Sequence, residues 1–156
     1  MSAQSHNAGA SITEFVTVTI GDHLFGLPIS RVQDVFVPDR LTRVPLAPSE
    51  VAGILNLRGR VVTAIDMRSR LDLGAQAKGQ PVMAIGIEFK GESYGLLVDA
   101  VGEVMALPDS ECQAKPVNLD PRLARVAAGV YRLEGQLLVV LDVDSVLEIR
   151  SGAAAA

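Results

Sequence analysis

From residue 14 onward, apolar and polar positions alternate in short runs. Val16, Val18 and Ile20 fall on one face of a segment and Thr17 and Thr19 on the other, and Ile85, Ile87 and Phe89 repeat the pattern further along. A period of two marks a half-buried strand. Turns are expected at Gly21-Asp22 and Lys90-Gly91. Residues 54–57 and 61–65 flank Gly59, and residues 130–133 and 137–141 flank Gly135, so each set predicts a hairpin. Helical turns fit only at 49–53, 67–71, 121–127 and 145–147. About ten short strands punctuated by Gly and Pro predict an all-β fold of small barrels.

The chain also repeats itself. FGLPISRVQDV, from Phe25, resembles YGLLVDAVGEV, from Tyr94, at an offset of 69 (94 − 25). GILNLRGRVVTAIDMRSRLDL, from Gly53, recurs as GVYRLEGQLLVVLDVDSVLEI, from Gly129, at an offset of 76 (129 − 53). Seven extra residues (76 − 69) therefore fall in the second copy's middle connection, after Pro108. The reading is a tandem duplication with copies at 14–73 and 83–149, joined through GAQAKGQ and Pro81, between a flexible tail at 1–13 and another at 151–156. A copy of this size has a marginal core alone, so the two are expected to share apolar surface, with strand exchange between barrels left open.

Composition narrows the function. Of 156 residues 49% are hydrophobic, enough for a real core. The longest aliphatic run, 137–141, is far short of the roughly 20 residues of a spanning helix, so no membrane insertion is expected. MSAQSHNAGAS has neither a basic region nor an apolar run, so it does not read as a secretory signal and the expected compartment is the cytoplasm. A formal charge of −4 and only four Phe and two Tyr argue against nucleic acid. Cys112 has no disulfide partner, and His6 and His23 gather no zinc ligands around them; neither a metal nor any other cofactor is expected.

Catalytic candidates are few. Duplication places Asp66 and Asp142 in equivalent positions, as paired carboxylates of a hydrolase would be. However, Met67-Arg68 and Val143-Asp144 follow them, and an Asp that closes a strand before a helical turn is a usual N-cap. His23 is expected on an exposed turn and Cys112 as a small loop side chain, and no phosphate-binding glycine loop is present. Nothing in the chain supports an enzyme.

The stretch GILNLRGRVVTAIDMRSRLDL, preceded by EFVTVTIGDHLFGLPISRVQDV, resembles the CheW family of bacterial chemotaxis coupling proteins. The resemblance covers nearly the whole chain. It implies two SH3-like five-stranded β-barrels without enzymatic activity. The implied partners are the regulatory domain of the histidine kinase CheA and the cytoplasmic tips of chemoreceptors, at membrane-associated arrays. It further implies partner contacts at Val32, Asp34, Gly53 and Arg58. Two positions depart from the family pattern: Thr63 stands where proline is frequent, and Asp34 where glutamate is commoner. A coupling protein of a related pathway such as pilus motility, or a ligand-binding barrel, is the alternative.

Arg58 also stands out without the resemblance. The second copy puts Glu134 at its place although the flanking leucine and glycine match, so the turn does not require arginine. An Arg on an exposed turn suits a partner interface, where its stem packs and its guanidinium makes paired contacts. An apolar groove between the copies, with Val32 in its wall, is expected beside it.

Overall fold

The computed structural model describes residues 11–39, 41–74, 80–114 and 119–148. The expected tails, apart from residues 11–13, His6, and most of the GAQAKGQ connection lie outside the described residues. Ten strands form: β1 (Ile12–Ile20), β2 (His23–Pro28), β3 (Val32–Phe36), β4 (Val51–Leu57), β5 (Arg60–Asp66), β6 (Met83–Phe89), β7 (Glu92–Val98), β8 (Ala100–Pro108), β9 (Ala127–Leu133) and β10 (Gln136–Leu141). Three short helices join them: α1 (Met67–Arg70), α2 (Pro121–Ala124) and α3 (Val143–Leu147). The helical turn expected at 49–53 is instead a turn that runs into β4 at Val51. Val51 and Ala52 pack as half-buried strand residues, and the register with β5 shifts between Val51 and Gly53. Single 3₁₀ turns at Ile29–Arg31 and Asp109–Glu111, each entered from a proline, have no counterpart among the elements expected from the sequence.

The strands make two five-stranded sheets, ordered β8-β1-β2-β10-β9 and β3-β6-β7-β5-β4. Each takes strands from both copies. The first copy's β1–β2 hairpin lies between β8 and β10, and the second copy's β6–β7 hairpin lies between β3 and β5. Both insertions are sealed by a parallel seam, Leu24 to Gly26 against Leu138 to Val140 and Tyr94 to Leu97 against Thr63 to Asp66. The duplication thus builds its two sheets by reciprocal exchange of the first hairpin.

Edge strands leave unpaired backbone groups, and here both pairs of edges are bridged. The chain leaving β3 returns so that Thr42 and Ile54 exchange two N–H···O bonds of 2.7 Å, and in the other sheet Gln113 and Val130 exchange bonds of 2.8 and 2.9 Å. Gly53 and Gly129 make these closures. A Cβ on Gly53 would collide with the Thr42 carbonyl, and Gly53 has φ +156°. A Cβ on Gly129 would lie 2.6 Å from Cys112 Sγ and 3.0 Å from the Gln113 carbonyl oxygen.

The inward rows of both sheets meet in one core. Val18, Ile20, Phe25 and Leu27 of the first sheet pack with Ile65, Ile85, Ile87 and Leu96 of the second, joined by Met67, Leu123, Val143 and Leu147 from the helices. A smaller cluster of Phe15, Tyr131, Leu138 and Val140 fills the first sheet alone, with Phe15 and Tyr131 edge to face at 5.6 Å. Polar ties cross between copies at the rim. Arg68 grips Asp99 at 2.6 and 3.0 Å, Arg70 donates to the carbonyls of Ser145 and Val146 at the end of α3, and Arg31 pairs with Asp144 at 3.1 Å. The paired hydrogen bonds from Arg68 hold the Asp99 carboxyl below the usual carboxylate range.

Candidate partner-binding face

The β4–β5 hairpin carries Arg58. Its two turn residues, Arg58 and Gly59, have φ of +52° and +86°, the pattern of a tight I′ turn, and Asn56 Oδ1 accepts the Gly59 N–H at 2.9 Å. Asn or Gly is the relaxed choice at the first of these positions. An arginine in left-handed backbone costs about 1 kcal/mol. Glu134, its duplicate, has no positive φ. The first copy therefore holds Arg58 in a conformation that its twin hairpin does not use.

Asp34 lies in β3, where Val32, Asp34 and Phe36 are half-buried and Gln33 and Val35 exposed. Its Oδ2 is 3.9 Å from Arg58 Nη1, with the arginine side chain 78% exposed and that of Asp34 24%. At that separation the two are associated but not hydrogen-bonded. Asp34 Oδ1 is buried and, among the described residues, the only such side-chain oxygen or nitrogen without a hydrogen-bond partner. A buried acceptor left this way costs about 1–3 kcal/mol. It rests over Gly86 of β6, its strand partner, where any Cβ would run into it.

The structure therefore brings Asp34 and Arg58 together and sets the other two residues behind them. Gly53 is buried against Thr42 and Leu41. Val32 pairs with Ile87 and packs on the main core, whereas the register shift between Val32 and Asp34 sets Asp34 against Gly86, on the other face of β6. Of two clefts among the described residues, neither is the groove expected against Val32. A cleft of about 380 Å³ beside β3 is polar, lined by Ser30, Arg31, Gln33, Glu88, Lys90 and Gly91. A second cleft, of about 280 Å³, lies between β2, α2 and β10, with Leu24, Leu123 and Val139 in its lining. Val32 lines neither.

Exposed apolar side chains instead gather on β3, on the β3–β4 connection and at the start of β5: Val35, Val37, Leu41, Val44, Leu46 and Val61. Sequence reasoning missed them, and it missed Gly86. For Val35 alternation carried no signal, because the register shift between Val32 and Asp34 resets the phase of β3 and pairs both valines with core residues of β6. For Gly86 the signal was the break in duplication, glycine where the first copy has Thr17.

Asp66 and Asp142 serve as helix caps. Asp66 accepts the backbone N–H groups of Arg68 and Ser69, Asp142 that of Ser145, and each also accepts the hydroxyl of the serine three residues on. Both carboxylates are thereby engaged by their own helical turns. His23 opens β2 half-buried, its ring 6.2 Å from that of Phe25, and Cys112 is an exposed free thiol. No group of three potential metal ligands occurs among the described residues, and no helix among them is long and apolar enough to cross a membrane.

Residues 14–151 match the family model of the CheW-like domain. The chain belongs to the CheW-like family. It is 31% identical to the chemotaxis protein CheW of Rhizobium meliloti strain 1021, covering 85% of this chain and 86% of that one. It is 26% identical to the chemotaxis protein CheW of Klebsiella aerogenes over 86% of this chain and 81% of the other. The crystal structure of the scaffolding protein TtCheW from Thermoanaerobacter tengcongensis superposes with a TM-score of 0.74 at 28% identity, covering 84% of this chain and 89% of that one. The fold of this CheW-like chain is therefore shared with a solved member of its family.

Proposed function

We propose that this CheW-like chain is a non-enzymatic chemotaxis adaptor that binds the cytoplasmic tips of chemoreceptors and the regulatory domain of the histidine kinase CheA, and so couples one to the other. It works from the cytoplasm, recruited to receptor arrays at the membrane. Its mechanism is geometric. A rigid body with two interfaces holds both partners at a fixed separation and raises the effective concentration of each for the other. The shared core and the ties at its rim supply the rigidity.

The observation that carries this reading is the presentation of Arg58. It stands 78% exposed on a hairpin tip, in a backbone conformation arginine disfavours, with a half-buried acid at its flank and exposed valines nearby on β3 and β5. The duplicate hairpin folds with glutamate there, so folding does not account for the arginine. Asp34 and Arg58 meet the partner, while Val32 and Gly53 act from behind, one by seating β3 on the core and the other by seating the 41–42 segment on β4.

The test is capture of a receptor signalling fragment and of the kinase regulatory domain by the purified chain, with wild type and Arg58→Glu side by side. Capture of both by wild type, with receptor capture lowered by the variant, supports the adaptor. Capture of neither by the folded wild-type chain rules it out.

A further inference from the structure

The two sheets solve the same steric problem in opposite ways. At an offset of 69, Gly86 of β6 corresponds to Thr17 of β1, and Asp34 of β3 to Glu103 of β8. Both seams carry a register shift there, between Val32 and Asp34 in one and between Val16 and Val18 in the other. In the first sheet Thr17 is buried, its hydroxyl donates to the Glu103 carbonyl at 2.6 Å, and Glu103 is exposed. In the second sheet the place of the threonine side chain is taken by the Asp34 carboxylate, which folds over Gly86 with Oδ1 buried. Glycine is not required there by backbone dihedrals, because Gly86 has no positive φ. What requires it is the carboxylate.

We propose that Gly86, an interior residue of β6, is a positioning residue for the Asp34–Arg58 pair: its missing side chain lets the acid of β3 turn inward and so fixes where Arg58 is presented. With Oδ1 held against the Gly86 backbone, Oδ2 is the oxygen left facing Arg58 and a partner. Any side chain at 86 drives the carboxylate outward, as Thr17 leaves Glu103 outside. The acid then meets the guanidinium at the surface and competes with the partner for it. The effect on partner binding rests on the adaptor function proposed for the chain; the steric linkage between Gly86 and Asp34 does not.

The experiment is a double-mutant cycle on the full chain with wild type, Gly86→Ala, Asp34→Ala and the double variant, read by urea unfolding and by capture of a receptor signalling fragment. Gly86→Ala is expected to lower the folding equilibrium constant about tenfold or more in the wild-type background, the usual result of overpacking an interior site. In the Asp34→Ala background the same change is expected to be neutral within about twofold, since nothing is left to displace. Unfolding of the single variant with rescue by the double supports the linkage equally. Equal losses in both backgrounds, or failure of both variants to fold, overturn the proposal. In the binding assay Gly86→Ala and Asp34→Ala should weaken receptor capture alike, with the double variant no worse than either. Additive losses there would show that Gly86 does not act through Asp34. If stability couples but wild type captures no receptor fragment, the adaptor function falls while the positioning stands; if Arg58→Glu abolishes capture without any stability coupling, the reverse holds.

Discussion

At the scale of the residue, what separates a contact from a support is the direction a side chain takes from its strand. Arg58 has little to do for the fold: its ion pair with Asp34 is 3.9 Å long and mostly in water, where such pairs contribute at most about 1 kcal/mol. Arg58→Glu should therefore leave the urea midpoint nearly unchanged while weakening receptor capture by about 2 kcal/mol, roughly 30-fold, as expected when an interface arginine is reversed in charge. A variant that unfolds would show that Arg58 is structural after all. Val32 and Val35 make a sharper pair. Val32 packs on the main core, so Val32→Asp puts a charge against apolar neighbours and should destabilise the protein by about 3 kcal/mol or more. Val35 is exposed, so Val35→Asp should spare stability and reduce receptor capture. If Val35→Asp binds receptor as wild type does, the exposed valines lie off the interface.

At the scale of the element, the duplication acts as an internal control on every feature. Features present in both copies serve the fold, as the caps Asp66 and Asp142 and the closures at Gly53 and Gly129 do. The two closures are not equally demanding. Gly53→Ala meets a backbone carbonyl from left-handed backbone and should cost about 3 kcal/mol. Gly129→Ala meets chiefly the movable Cys112 thiol and should cost nearer 1 kcal/mol. Urea unfolding of the two variants decides this, and equal losses would contradict it. The strands, hairpins and caps were legible in the sequence because alternation, turn glycines and capping acids are local signals. The helical turn expected at 49–53 is instead a strand entry, which only the long-range pairing of β4 with β5 determines. Asp34 and Arg58 were nameable one by one, but their meeting was not, since it depends on β3 and the β4–β5 hairpin curling toward each other from opposite sides of one sheet. The break in duplication marked Gly86 but not its role, for the same reason: what occupies its missing side chain's place comes from a different strand.

At the scale of the whole molecule, reciprocal exchange makes each half depend on the other, and two measurements expose this. The first is acid sensitivity. The Arg68–Asp99 tie joins α1 of one copy to the β7–β8 turn of the other, and it lowers the Asp99 pKa in the folded state; Asp120 is likewise held at about 2 by Arg122. A carboxylate whose folded pKa is depressed contributes stability that is complete above its unfolded value near about 4 and is lost as pH falls through the folded one. Stability should thus be flat above about pH 5 and decline below about pH 4, with Asp99→Asn less stable near neutrality and less steep in its acid decline. An unchanged acid slope in Asp99→Asn would show that this pair plays no part in the acid response. The second is fragment complementation. Cutting the chain within residues 75–79 separates β1–β5 from β6–β10. Each fragment then holds a hairpin whose neighbours in the sheet, β8 and β10 for one and β3 and β5 for the other, reside in its counterpart. Neither fragment can assemble the core, which takes Val18, Ile20, Phe25, Leu27 and Ile65 from one fragment and Ile85, Ile87, Leu96 and Leu141 from the other. Each alone should show no cooperative unfolding transition, and mixing them should restore the native circular dichroism spectrum and receptor capture together. The recovery should saturate at equal amounts of the two, because the exchange is one hairpin for one hairpin. A fragment that folds cooperatively by itself would mean that one copy can close a sheet without its twin, which the strand order does not permit.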